Sequence, residues 1–264
     1  MTPAVLPDGF VSNLFSLDDR VAVVTGGGSG LGAAIAAGLA QAGAAIAVVD
    51  VDGERAAEVC ASITDAGGTA ASFTADVTNS SAVDGVVAQV VAGLGGVDVL
   101  VNSAGTAFRS PAEEFPEDRF DAVVALNLKG TFLTCQRFGR QMLEKGTGSI
   151  VNIASIGGVI AYPHTSAYLA SKGAVVQLTR ALAVEWIGRV RVNAIAPTLF
   201  DTPMTAGLAT SSTVTSDFIV KRMLREGRLG EPHEVVGAAV FLAADASSLV
   251  TGHTLPVDDG YLIV

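Results

Sequence analysis

Tyr168 and Lys172 stand four residues apart in the stretch SAYLASKGAVVQLTRALAVEW, residues 166–186, which is otherwise built largely from Ala, Val and Leu. On a helix, residues i and i+4 are neighbours on one face. A free phenol has a pKa near 10, so forming its phenolate at pH 7 costs about 4 kcal/mol. An ammonium about 4–5 Å away offsets about 3–4 kcal/mol of that cost at an effective dielectric near 20. Such a pair is a candidate general base poised near neutrality. The plainer reading of the same spacing is an amphipathic surface lysine with a tyrosine beside it. Ser155, thirteen residues before Tyr168 at the end of an apolar run, weighs toward chemistry. Its hydroxyl can hold a substrate oxygen while Tyr168 takes or gives a proton.

A second constellation lies near the start of the chain. TGGGSGLG, residues 25–32, joins an apolar run to a helical pattern. Gly26, Gly30 and Gly32 let the backbone turn tightly and approach a diphosphate, and the following helix N-terminus offers free N–H groups to an anion. The spacing is not G-x-G-x-x-G, and the loop alone also fits a bare strand-to-helix turn. Asp50 ends the next apolar run 20 residues after Gly30, where a carboxylate accepts both hydroxyls of an adenosine ribose. Loop and acid together predict a bound dinucleotide. A 2′-phosphate at Asp50 meets like charge, Ser29 stands where a basic residue could have paired with that phosphate, and Arg55 belongs to the helix surface. NAD is therefore expected rather than NADP. An oxidised nicotinamide adds positive charge beside Tyr168.

These side chains need a scaffold that brings them to one place. Short Val- and Ile-rich runs recur at 20–25, 44–50, 70–76, 97–102, 149–155 and 190–197. Most lack polar alternation, as expected of strands buried on both faces of a parallel sheet. Helical spacings lie between them: Leu31, Ile35 and Leu39; Val83, Val87, Val90 and Leu94; Val175, Leu178, Leu182 and Trp186. The alternation predicts an α/β fold, a Rossmann-like doubly wound parallel sheet of about seven strands with helices on both faces, in a single domain. Residues 17–264 form that domain, and residues 1–16 are read as an N-terminal extension. Residues 198–218 are Thr- and Ser-rich, long and without a strand pattern, and are expected to form a substrate lid. The predicted strand ends carry Gly26, Asp50, Asp76, Asn102, Ser155 and Pro197, all along the carboxyl edge where ligands bind in open α/β sheets.

Composition removes other classes. The 264 residues are half apolar and carry a net charge of −10, which argues against a basic nucleic-acid surface. The two cysteines, Cys60 and Cys135, are far apart, and no residue spacing suits a metal site. Residues 146–171 lack Asp, Glu, Lys and Arg, yet Asn152, two adjacent glycines, Pro163 and His164 break any membrane span. The N-terminus has no signal-peptide pattern, and a cytoplasmic location is expected. His164, one helical turn before Tyr168, is read as a loop residue rather than a pocket residue.

With TGGGSGLG, Asp50, Asp76–Val77, NSAG at 102–105, Asn127 in ALNLKG, Ser155, Tyr168, Lys172, RVNAIAP at 191–197 and Thr202 in place, the chain resembles the short-chain dehydrogenase/reductase family from about residue 17 to its end. The resemblance implies that Gly26, Ser29, Gly30, Leu31 and Gly32 wrap the diphosphate and that Asp50 holds the adenosine ribose. Asp76 and Val77 flank the adenine, and Asn102, Ala104 and Gly105 line the path to the nicotinamide. It implies proton transfer by Ser155, Tyr168 and Lys172, with Lys172 also bonding the nicotinamide ribose and Asn127 anchoring a relay water. Pro197 and Thr202 hold the carboxamide end, and the protein is a homotetramer. Thr198 departs from the pattern, standing where the family usually has glycine. VNSAG, FGRQM and DGYLIV are most similar to polyol and sugar-alcohol dehydrogenases. The expected reaction is NAD-dependent interconversion of a secondary alcohol and its ketone. A 3-oxoacyl-type ketone reductase is expected to prefer NADP and to carry a basic docking patch, and a non-catalytic dinucleotide sensor could lose Ser, Tyr or Lys.

Overall fold

The six apolar runs become strands of one parallel sheet, β1 (Val21–Thr25), β2 (Ala45–Asp50), β3 (Ala70–Thr74), β4 (Val99–Asn102), β5 (Gly148–Ile153) and β6 (Val190–Pro197), and a seventh strand, β7 (Thr254–Val257), joins them. Their spatial order is β3-β2-β1-β4-β5-β6-β7. The structure, a computed structural model, describes residues 6–206, 218, 220 and 228–263. Around the sheet lie α1 (Phe10–Phe15), α2 (Gly30–Gln41), α3 (Gly53–Asp65), α4 (Ser80–Leu94), α5 (Glu117–Val124), α6 (Thr131–Lys145), α7 (Ser166–Glu185) and α8 (Val236–Ala243). A π-helical segment, Ala125–Gly130, joins α5 to α6.

Burial on both faces explains why the strands read as unbroken apolar runs. Ala22 and Val24 of β1 pack into one core with Ile35 and Leu39 of α2 and Leu242 of α8. Val21 and Val23 pack into the other with Val86 of α4, Phe138 and Met142 of α6 and Leu182 of α7. Strand β7, which no apolar run announces, contains Pro256 and pairs only with β6. An edge position is where a sheet tolerates proline.

The strand order reverses direction between β1 and β4, and that switch opens a crevice at the carboxyl edge. Two contacts fix the helix that carries Tyr168 and Lys172. At its far end, Trp186 lies on Gly139 of α6, where a Cβ would come within 2.7 Å of the indole ring. At its near end, Gly158 meets the Lys172 carbonyl, which would stand 2.8 Å from a Cβ. Side chains at Gly139 and Gly158 would therefore push α7 off α6 and off the turn that follows β5.

Within residues 1–16, α1 packs against the domain through the Phe15 ring, 6.5 Å from that of Phe241 in α8. Of the segment expected to form a lid, residues 207–217 lie outside the described residues, whereas Thr202–Thr205 stand at the crevice. Among the described residues, no helix is long and apolar enough to cross a membrane.

Candidate active site

The crevice is a cavity of about 600 Å³. Five of the six strand-end positions, Gly26, Asp50, Asp76, Ser155 and Pro197, stand on its wall. So do Ser29, Gly30, Leu31, Gly32, Val77, Ala104, Gly105, Tyr168, Lys172 and Thr202. Asn102 does not. It is buried behind the wall, donating to Asn152 Oδ1 at 2.9 Å and accepting from Thr134 Oγ1 at 2.7 Å. Asn152 in turn donates to Thr179 Oγ1 at 3.0 Å. This ladder ties β4 and β5 to α6 and α7, so the amide that sequence directs at a ligand path is consumed inside the protein.

The loop has no room for a side chain at Gly26 or Gly32. Gly26 adopts φ 63°, and a Cβ there would lie 2.6 Å from Ala104 Cα. A Cβ on Gly32 would lie 2.1 Å from the Gly26 carbonyl oxygen. Ser29 precedes α2 without capping it, so no side chain of its own satisfies the first-turn N–H groups there. Asp50 is held rigidly at the wall: Oδ2 accepts the Gly28 N–H at 2.9 Å and Oδ1 the Asp52 N–H at 3.0 Å. Each oxygen keeps a lone pair for a further donor. Arg55 is engaged with Asp52 at 3.2 Å. Also on the wall, Thr198 Oγ1 is buried with no hydrogen-bond partner among the described residues. A close-packed cradle beside an uncapped helix start, a fixed carboxylate and an orphaned hydroxyl fit a dinucleotide, with its diphosphate, ribose diol and polar carboxamide.

Ser155, Tyr168 and Lys172 line the same cavity. Ser155 leaves β5 extended, and its Oγ accepts the Gly157 N–H at 3.0 Å. Lys172 is buried and donates from Nζ to the Ile153 carbonyl at 2.7 Å. That ammonium lies 5.8 Å from the centre of the Tyr168 ring. Burial pushes Lys172 from the ordinary 10.5 down to about 8. Burial also raises the Tyr168 phenol, while a hydrogen bond with Ser155 and the positive charge of Arg109 pull it back. Sequence spacing makes the lysine the main influence on the phenol. In the structure the ammonium is committed to a carbonyl, and Ser155 is the nearer influence.

Asn127 is completely buried in the π-helical segment, away from the cavity wall. Its Oδ1 accepts the Thr106 N–H at 2.8 Å, and its amide donates to the Thr106 carbonyl at 3.0 Å and to Ser171 Oγ at 2.9 Å. Ser171 donates to the Tyr168 carbonyl at 2.8 Å. The side chain thus clamps the loop after β4 to α7. His164 is exposed, off the wall, with φ 64°.

Two ionisable wall residues have no place in the sequence reading. Tyr162 follows the turn after Ser155, and Arg109 follows the NSAG loop. Arg109 is the first basic residue after Arg55, and that isolation is a usable signal. Tyr162 offers only its position in an uncharged stretch.

The depressed Lys172 pKa carries a stability consequence. Between about pH 8 and 10.5 the unfolded chain binds the lysine proton and the folded chain does not, so stability rises with pH across that window. Below it, burying the charge costs roughly 3 kcal/mol. The expected result for cofactor-free protein in urea titrations is that wild type gains roughly 3 kcal/mol relative to Lys172→Met between pH 7 and 10.5. A stability difference that stays constant with pH contradicts this.

A family profile described as enoyl-(acyl carrier protein) reductase matches residues 26–262. The D-threitol dehydrogenase of Mycolicibacterium smegmatis is 44% identical over 250 residues, covering 94% of this chain and 95% of that protein. The NAD-dependent glycerol dehydrogenase of Listeria innocua is 41% identical over 250 residues, 94% of this chain and 96% of its own. A crystal structure of a gluconate 5-dehydrogenase from Burkholderia cenocepacia, in complex with NADP and tartrate, superposes with a TM-score of 0.91 at 37% identity, over 96% of this chain and 99% of that one. Matches of this extent, joined to a glycine cradle, a strand-end acid and a Ser-Tyr-Lys wall around one cavity, establish that the chain belongs to the short-chain dehydrogenase/reductase family of dinucleotide-dependent oxidoreductases.

Proposed function

We propose that the protein is an NAD-dependent dehydrogenase that interconverts one secondary alcohol of a polyol or sugar and the corresponding ketone. The observation that carries this is that Ser155, Tyr168 and Lys172 line the same cavity as the glycine cradle and Asp50. The bound oxidised nicotinamide supplies the hydride acceptor and a positive charge. Ser155 orients the alcohol oxygen, and Tyr168 takes its proton. Lys172 keeps two hydrogens beyond the one given to Ile153, enough to bond a ribose hydroxyl, and it adds positive potential beside the phenol. The Asn127 clamp holds the two sides of the cavity in register.

NAD rather than NADP follows from Asp50, whose charge repels a 2′-phosphate, and from Arg55, whose guanidinium is engaged by Asp52. Relatives of both kinds exist: the glycerol dehydrogenase is NAD-dependent, and the gluconate 5-dehydrogenase structure holds NADP. A polyol or sugar substrate is supported by the D-threitol and glycerol relatives. We further infer a cytoplasmic homotetramer. Exposed apolar side chains on α5, α6 and α7, among them Phe120, Phe132 and Val184, support association.

A screen of polyols, sugars and secondary alcohols with NAD, followed by absorbance of the reduced nicotinamide, tests the activity. For the best substrate, Tyr168→Phe is expected to lower kcat by about 10²–10⁴-fold while NAD affinity is kept. Substantial remaining turnover refutes the base. Asp50→Ala combined with Val51→Arg is expected to move preference toward NADP by at least about tenfold, the worth of one charge-assisted contact of about 1.4 kcal/mol or more. Unchanged selectivity removes Asp50 as the discriminating residue.

A further inference from the structure

We propose that the substrate is a polyhydroxy acid whose carboxylate pairs with Arg109 while one of its alcohols lies at Ser155 and Tyr168. The proposal rests on the dehydrogenase reading of the cavity and narrows its substrate class to chains with one negative charge. Among the described residues, the cavity wall carries four charged side chains: Asp50, Asp76, Arg109 and Lys172. Strand order divides them by sign. Asp50 ends β2 and Asp76 follows β3, on one side of β1, whereas Arg109 follows β4 and Lys172 reaches the end of β5, on the other. Three of the four are engaged. Asp50 accepts the Gly28 and Asp52 N–H groups, Asp76 Oδ1 accepts the Thr78 N–H and hydroxyl, both at 2.8 Å, and Lys172 donates to the Ile153 carbonyl. The Arg109 guanidinium has no ion pair or hydrogen bond among the described residues. Arg119, in the same region, is by contrast occupied: it lies 5.5 Å from the centre of the Phe108 ring and pairs with Asp118 at 3.7 Å.

The loop anchors Arg109 from both sides. Before it, the Phe108 ring packs edge-on against Phe115 at 5.6 Å. After it, the Ser110 N–H donates to the His164 carbonyl at 3.0 Å. His164 lies between Tyr162 and Thr165, both on the wall, and four residues before Tyr168. The Arg109 backbone is therefore held beside the segment that leads into the proton-transfer residues. Burial is the main influence on the Tyr162 and Tyr168 phenols and raises both, and the Arg109 charge is near enough to pull both back. Ala107, Ile156, Leu199 and Met204 on the wall add no charge of their own. An anion at this end of the cavity thus meets one free cation. A guanidinium presents five N–H donors in a planar fork that matches a carboxylate with two parallel bonds. One guanidinium balances one carboxylate, whereas a doubly charged phosphate is left half-matched.

The test compares neutral polyols with the aldonic acids and the monophosphates of the same chain length and configuration. Each is assayed with saturating NAD on wild type, Arg109→Gln and Arg109→Lys. The quantity read is the ratio of kcat/KM for the acid to that for the neutral polyol, in which any general damage to the enzyme cancels. The wild-type ratio is expected to be about 10–100, the worth of a hydrogen bond between charged groups. Arg109→Gln brings it to about one, chiefly through KM for the acid. Arg109→Lys keeps the charge but loses the fork, and its ratio falls between the two. Added salt lowers the wild-type ratio. A wild-type ratio near or below one overturns the carboxylate site and leaves the dehydrogenase reading standing. So does a preference for the acid that survives Arg109→Gln, or a monophosphate preferred over the acid. If neither polyols nor acids are oxidised, the dehydrogenase reading itself fails and the carboxylate site with it.

Discussion

A lysine ammonium buried at the end of a sheet is the constraint on which the site turns. Taking Lys172 out of water costs enough to bring its pKa to about 8, and its hydrogen bond to the Ile153 carbonyl offsets only part of that. The group is still largely charged at neutral pH, and the phenol it faces is itself raised by burial. The cofactor-free site is thus electrostatically strained: it holds a cation that prefers water and an acid that resists ionising. On the proposed reading, Lys172 would bond the ribose hydroxyls of a bound dinucleotide, and Tyr168 would ionise more readily beside its positively charged ring, so binding and chemistry would be coupled through the same two side chains.

The rest of the molecule keeps that pair in place. Seven parallel strands deliver their carboxyl ends to one edge, and the reversal between β1 and β4 leaves the gap that a ligand enters. Glycines set the distances. Gly26 and Gly32 let the cradle close on the loop after β4, and Gly158 lets the serine turn lie on α7. Asn127 ties the loop to the helix through Thr106 and Ser171, so that the wall carrying Ala104 and Gly105 moves with the wall carrying Tyr168. A π-helical segment places that asparagine, and such irregularities recur at functional sites because they redirect a side chain without ending the helix.

Much of this was legible in the residues. Periodicity located β1 to β6 because buried parallel strands are apolar on both faces. It missed β7, where Pro256 and an edge position leave no apolar run. The Ser155, Tyr168 and Lys172 wall was legible because strand ends and an i, i+4 pair converge wherever the sheet is parallel. Two amides were not. That Asn102 meets a neighbouring asparagine depends on inter-strand register, and that the Asn127 side chain meets the Thr106 backbone depends on a helix irregularity. Helical spacing puts Lys172 near Tyr168 but does not say where a four-carbon stem ends, and Ile153 captured it. Tyr162 was illegible for the same kind of reason: its place on the cavity wall depends on how the chain folds back over Gly157.

A crystal structure of the protein with NAD and the ketone product of its best alcohol substrate tests the central claim most directly. The account predicts the Tyr168 hydroxyl and Ser155 Oγ both within about 2.6–3.2 Å of the ketone oxygen, with that carbonyl carbon facing the nicotinamide ring. A phenol turned away from the ring, with no substrate oxygen in reach, contradicts it.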